Sequence, residues 1–233
     1  MAKNQRTEWS PYTDHGFMPP QFPDSIDFPA DLERVFDKQM GAINTKFSWD
    51  VDQQMQIHMG SSAALQENKI GGRGFIFPAY HQRDVGVFVY TRYQLTEVAL
   101  LHFGLRYDAA WLQTEVYQDW FPSPVEGGVF LERSAAIDRF FGNWTWSVGA
   151  NYNLKHTSFK LNIGKGFRVP LAKELAANGV NYHHFSFERG NPDLDAEVAY
   201  QLDAAVEYTG KRFAIGITPF VNFFSNYIYL NPG

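Results

Sequence analysis

Few side chains in this 233-residue sequence have the type and spacing to do chemistry. Tyr182, His183 and His184 follow one another between Asn181 and Phe185, and imidazole beside a phenol suits iron ligation. Two adjacent loop histidines can equally face water or bond within their loop, and the residues alone leave both uses open. His15, His58, His81, His102 and His156 are scattered, so no metal-ligand spacing emerges. Gly71, Gly72 and Gly74 lack the Lys-Ser/Thr pair and the helix that would complete a phosphate loop, and they read as flexible chain. No His-Glu-x-x-His, nucleophile elbow or useful pair of carboxylates occurs, so neither an enzyme nor a cofactor is expected. Asn143, Trp144 and Thr145 match a glycosylation sequon, but they fall inside a strand pattern and the match is set aside.

The elements that must position these groups are strands. No apolar run reaches the roughly 18 residues of a membrane-spanning helix. From Gly142 to Leu154, Trp144, Trp146, Val148, Ala150, Tyr152 and Leu154 alternate with Asn143, Thr145, Ser147, Gly149, Asn151 and Asn153. Period two of this kind places a strand between unlike environments, and the small polar face points to water rather than a packed core. The pattern recurs with Phe159, Leu161, Ile163 and Phe167 against Lys160, Asn162, Gly164 and Arg168. It continues from Val198 to Tyr208, from Phe213 to Asn222, and from Ala99 to Trp111, where Leu101, Phe103, Leu105 and Tyr107 oppose His102, Gly104, Arg106 and Asp108. Val85 to Tyr93 carries apolar groups on both parities, so its outward face is undetermined, and Asn44 to Leu65 reads as a hairpin. About eight strands result.

Connections give an independent signal. Joins near Asp52, Gln94 to Glu97, Lys155 to Thr157 and Tyr208 to Arg212 are tight, whereas Glu67 to Asp84, Gln118 to Phe141 and Val169 to Ala196 are long. Such alternation is what an antiparallel up-and-down barrel crossing a membrane produces. Aromatic residues, 17% of the chain, gather near strand ends as an interface belt requires: Trp111, Tyr117 and Trp120 in one place, Phe223, Phe224, Tyr227 and Tyr229 in another. Met1 to about Met40, rich in Pro, Asp and rings, reads mostly as an extracellular loop. Pro170 to Ala177 reads as a short helix stopped by Gly179.

Lys160, Arg168, Asp203 and Glu207 fall on inward faces and are expected to pair across strands, as are Arg106 and Asp108. The inward set of Asn, Ser, Thr and Gly fits a wide hydrated lumen better than a small filled barrel. Both ends of the chain leave unpaired edges, so a section of a larger barrel is expected. A net charge of -5 without a basic cluster argues against a nucleic-acid partner. The absence of cysteine removes disulfides and thiolate metal sites.

Phe167, Arg168, Val169 and Pro170, then Lys173, Glu174 and Leu175, and later Gly190, Asn191, Pro192, Asp193 and Leu194 resemble two boxes of the TonB-dependent receptors, in the distal half of the barrel. The family motif is thus carried by Phe167, Arg168, Pro170, Asn191, Pro192 and Leu194, and the wording of this loop is most like receptors of Bacteroidetes. The resemblance implies an outer-membrane barrel of about 22 strands occluded by an N-terminal plug. It would import a scarce ligand, ferric siderophore ahead of haem or cobalamin, with outer-membrane lipid around it and the TonB complex supplying energy. Residues 1–233 would be a partial barrel domain from the C-terminal half. They contain neither plug nor TonB box, so TonB contact and an export signal are expected upstream. In haem receptors resembling this family a histidine between the two boxes ligates iron, which makes Tyr182, His183 and His184 the candidate ligand-binding residues. A passive porin or adhesin barrel and a soluble β-sandwich are the alternative classes.

Overall fold

The computed structural model describes residues 2–9, 29, 31–72, 74, 77–118, 131–181 and 186–231. The long strands are β1 (Ala2–Trp9), β2 (Leu32–Asp50), β3 (Met55–Gly71), β4 (Tyr80–Gln94) and β5 (Ala99–Thr114). They are followed, after β6 (Tyr117–Gln118) and β7 (Glu132–Ser134), by β8 (Ile137–Asn153) and β9 (Thr157–Arg168). The helix α1 (Ala172–Ala176) and the small hairpin β10 (Asn178–Asn181) and β11 (Ser186–Arg189) precede β12 (Glu197–Thr209), β13 (Ala214–Ile217) and β14 (Phe220–Ser225). One antiparallel sheet runs β1-β2-β3-β4-β5-β8-β9-β12-β13, with β14 continuing β13 along β12. Each long strand pairs with the next in the chain, which is an up-and-down wall. The two outermost rungs have a partner on one side only, so the described sheet is open.

Register explains the alternation. One row across the sheet is Phe47, Met59, Val89, Leu105, Trp146, Lys165, Tyr200 and Phe223. The adjacent row is Ser48, His58, Tyr90, Gly104, Ser147, Gly164, Gln201 and Asn222. Opposed residues share a face, so the first row belongs to the apolar side and the second to the polar side. The same rows settle Val85 to Tyr93: Val85, Val87 and Val89 are outward, whereas Phe88 and Tyr90 point to the polar side. Apolar residues on the outward face are not packed away, with Leu161 52% and Ile163 46% exposed. β2 with 19 residues and β3 with 17 exceed the roughly 9–11 residues that cross a bilayer at a tilt.

Short turns close one rim. The Asp52 carboxylate accepts the Gln54 and Met55 N–H groups, each at 2.7 Å, and the Thr96 hydroxyl accepts the Ala99 N–H at 3.1 Å. At the other rim the strands run further than alternation alone marks. β3 continues to Gly71 and β4 begins at Tyr80, inside the stretch read as a long loop, because the ladder continues above the height at which one face meets hydrocarbon. Within the first 40 residues, read as mostly loop, Ala2–Trp9 forms β1 on the Leu32–Met40 part of β2. Its sequence has no apolar alternation, and Lys3–Asp37 (3.2 Å) and Glu8–Arg34 pairs fix it instead. Between β13 and β14 the ladder stops at Thr218 and Pro219, where proline has no N–H to give.

The buried apolar cluster sits on the inner face at the long-loop rim: Ala110, Leu112 and Phe141 of the wall meet Ala172 and Leu175 of α1. The helix spans Ala172–Ala176, so Pro170 precedes it instead of forming its first turn, and Ala177, not Gly179, is its stop. Ala177 turns extended and bridges Ser134, and Gly179 lies in β10. Leu161→Arg and Val206→Arg are expected to destabilise the assembled wall by about 2–4 kcal/mol near the midplane, and Asn151→Arg by less. Urea unfolding in lipid vesicles measures the difference, and equal cost at all three positions would contradict the assigned faces.

Candidate functional site

The mouth is shaped by residues 169–196. Pro170 and Leu175 are fully buried, and their burial carries α1 onto the inner wall beside Ala110, Leu112 and Phe141. Arg168, the last residue of β9, donates through Nη1 to both Glu174 oxygens at 3.1 and 2.8 Å, and its Nη2 lies 3.6 Å from Glu197 of β12. Glu174 also accepts the Leu171 N–H at 2.7 Å, and its own carbonyl accepts the Asn191 N–H at 2.8 Å. From β8, Arg139 donates to the carbonyls of Pro192 and Leu194, the latter at 3.0 Å. Both boxes therefore meet in one latch. Arg168, Pro170, Asn191, Pro192 and Leu194 hold the loop against the wall, while Phe167 pairs in register with Val198.

This latch fixes the base of the β10–β11 hairpin, which Lys173 and Glu188 also tie together. Tyr182, His183 and His184 fall between β10 and β11 in the chain and lie outside the described residues, as does Trp120. The structure thus gathers the motif residues at the base of the β10–β11 hairpin.

Below the mouth the inner wall carries a polar chain. His102 Nε2 is 3.1 Å from Asn162 Oδ1, across β8, and Asn162 donates to Asp203 at 2.7 Å. Gly149 leaves the space for this crossing, since a Cβ there would meet the imidazole at 2.0 Å. Lys160 and Glu207 pair at 3.1 Å. Arg106 pairs along its own strand with Asp108, at 2.8 and 2.6 Å through Nε, and donates to Ser62 at 2.8 Å. Cross-strand pairing is therefore met by Lys160 with Glu207, by Asp203 with Asn162 and by Arg168 with Glu197, its register partner on β12. Arg168 also reaches the loop through Glu174. Two contributors escape the alternation argument, Arg139 and Lys165. Lys165 has a visible signal, a charge at an outward parity position. Among the described residues no group of three His, Asp or Glu side chains could hold a metal.

Wall, rims and a loop whose helix packs on the inner face together define a section of a transmembrane β-barrel. A family model described as TonB dependent receptor-like, beta-barrel, matches residues 5–233, and the chain belongs to that family. Solved structures share the fold at low identity. The hemophore receptor HasR of Serratia marcescens, in complex with its hemophore HasA and heme, is 15% identical with a TM-score of 0.62 over 83% of this chain and 34% of that one. The copper transporter OprC is 17% identical with a TM-score of 0.66 over 82% and 31%. The FrpB iron transporter from Neisseria meningitidis is 15% identical with a TM-score of 0.58 over 82% and 28%. The chain thus spans about a third of the length of these proteins.

Because Arg168 joins two carboxylates that otherwise lose their shared cation, Arg168→Ala is expected to make the loop about 1–2 kcal/mol easier to open. Faster tryptic cleavage at Lys173 or Arg189 in the assembled protein reports it, and unchanged cleavage would contradict the latch.

Proposed function

We propose that this chain is the wall section of an outer-membrane receptor that imports a scarce ligand in a TonB-dependent way, with a ferric siderophore as cargo. The observation that supports this reading is the latched loop. Arg168, Arg139 and the buried helix hold the base of the β10–β11 hairpin against the inner wall. A receptor needs a rigid support of this kind for its contact residues.

On this reading the short-turn rim faces the periplasm and the long-loop rim faces outward. Rings at the two rims support that placement: Trp111 with Phe140 (5.1 Å) and Tyr107 with Trp144 (4.9 Å) toward one, Tyr208 with Phe213 (5.5 Å) toward the other. Residues 1–233 form a partial barrel domain, and the part of the first 40 residues between β1 and β2 is an extracellular loop. Contact with TonB is made by a part of the receptor other than this wall. Similar structures include a hemophore receptor with heme, a copper transporter and an iron transporter, so fold does not choose the cargo. The siderophore reading rests on the boxes, which siderophore receptors carry.

Haem is the second reading, favoured by the succession Tyr182, His183, His184 between the boxes, where imidazole could ligate iron. Haemin titration of the full-length gene product separates the two. Wild type and the His183→Ala, His184→Ala double variant are expected to bind haemin equally weakly, and disruption of the gene is expected to abolish growth on ferric siderophore as sole iron source. A haemin affinity that falls about tenfold or more in the double variant, the scale of a lost metal ligand's support, would replace siderophore by haem. Growth that survives disruption would overturn the import reading.

A further inference from the structure

Lys165 stands where a lysine is costly. Its row is otherwise apolar or aromatic, with Trp146 on one side and Tyr200 on the other, and a cation on a lipid-facing strand position costs about 2–4 kcal/mol at the midplane. An ionisable residue kept inside a membrane-spanning segment at that cost points to function. Here the side chain does not stay with its row. Its ammonium donates to Asn143 Oδ1 at 2.7 Å, and Asn143 is in register with Asp108 on the lumenal face.

The wall makes room for this turn. β8 and β9 pair only as far as Trp146 and Lys165, although β8 extends to Ile137 and β9 to Arg168. Beyond that pair the two strands part, β8 staying with β5 and β9 with β12. Gly166, next in the chain, would have no atom within 4 Å of an added Cβ. The Lys165 ammonium comes through this seam into the lumen.

It arrives at a cavity of 460 Å³ below the latched loop, whose lining includes Phe88, Tyr90, Arg106, Asp108 and Lys165. Arg106 is neutralised there by Asp108 and lies over the Phe88 ring, 6.0 Å from its centroid. Among the described residues Lys165 is held by the Asn143 amide, which returns no charge. The described lining therefore carries one surplus positive charge beside four aromatic residues, of which Phe88 and Tyr90 stand on the lumenal side. Charge and rings together select an anion with a flat aromatic body.

We propose that this cavity is an anion subsite for the imported ligand, with Lys165 as its charge-bearing group, and that the ligand is an aromatic anionic chelate rather than a neutral one. The proposal rests on the import reading and narrows it to a charge class.

The test uses the full-length receptor in lipid vesicles, as wild type, Lys165→Gln and Lys165→Arg. Removing a charge from a lipid-facing row does not endanger assembly, and Lys165→Arg restores the charge. Three probes are titrated: salicylate, an aromatic monoanion; a ferric tris-catecholate, which is anionic; and a ferric tris-hydroxamate, which is neutral. Wild type is expected to bind salicylate and the tris-catecholate, Lys165→Gln to bind both about tenfold more weakly, as loss of one charge-assisted bond implies, and Lys165→Arg to recover. The tris-hydroxamate should not distinguish the variants. Equal binding of the anions by wild type and Lys165→Gln overturns the subsite, as does failure of wild type to bind salicylate and tris-catecholate alike. Lysine-dependent salicylate binding in a receptor that takes up neither chelate would keep the subsite and overturn the iron-chelate reading instead.

Discussion

A backbone that crosses hydrocarbon has no water to turn to, so every N–H and C=O must find its partner in the chain, and each failure costs several kcal/mol. The ladders from β2 to β12 answer that demand over the height of the wall. Where they stop, something local accounts for it. Pro219 interrupts the last rung, and the β8–β9 pairing ends at Trp146 and Lys165, beyond which β8 stays with β5 and β9 with β12. Strand length, turn placement and the two-faced rows all follow from keeping the ladder intact between an oily exterior and a wet interior.

The same constraint relocates the packed core. In this wall the large apolar side chains of the outward rows remain exposed, and the buried Leu112, Phe141 and Leu175 lie together at the inner rim, where α1 covers the wall. The family boxes gain a physical meaning from that position. Arg168 neutralises Glu174 and approaches Glu197, while Glu174 organises both the first turn of α1 and the return of the chain at Asn191. Charge, capping and burial together fix the base of the β10–β11 hairpin, a rigid support of the kind recognition requires.

Alternation was legible wherever the two faces differ in polarity, as along Trp144 to Leu154, because two solvents impose a period of two on the side chains. It failed at Val85 to Tyr93, where Phe88 and Tyr90 are rings on the lumenal side. Phe88 lies over Gly60 of the neighbouring strand, a long-range complementarity that a single strand does not reveal. β1 escaped notice because Ala2–Trp9 lies at the rim on pairing and ion pairs, with no apolar face to mark it. Pro170 to Ala177 reads as helical, but the helix is Ala172–Ala176: Pro170 stays outside it, and the bridge from Ala177 to Ser134 stops it before Gly179. At the site, the spacing of the boxes announced Arg168, Pro170, Asn191, Pro192 and Leu194, but only the fold shows that they meet. Tyr182, His183 and His184 remain a proposal from chemistry and position in the chain.

The central claim is that alternate side chains along each long strand meet hydrocarbon and water. Spin labels placed singly along β8, from Asn143 to Asn153 in the receptor in lipid vesicles, test it through collision with oxygen, which concentrates in the bilayer, and with a water-soluble nickel complex. The account predicts oxygen contact at Trp144, Trp146, Val148, Ala150 and Tyr152 and nickel contact or tight enclosure at the residues between them. Accessibility that varies without period two, or enclosure from both probes at the outward set, would contradict it.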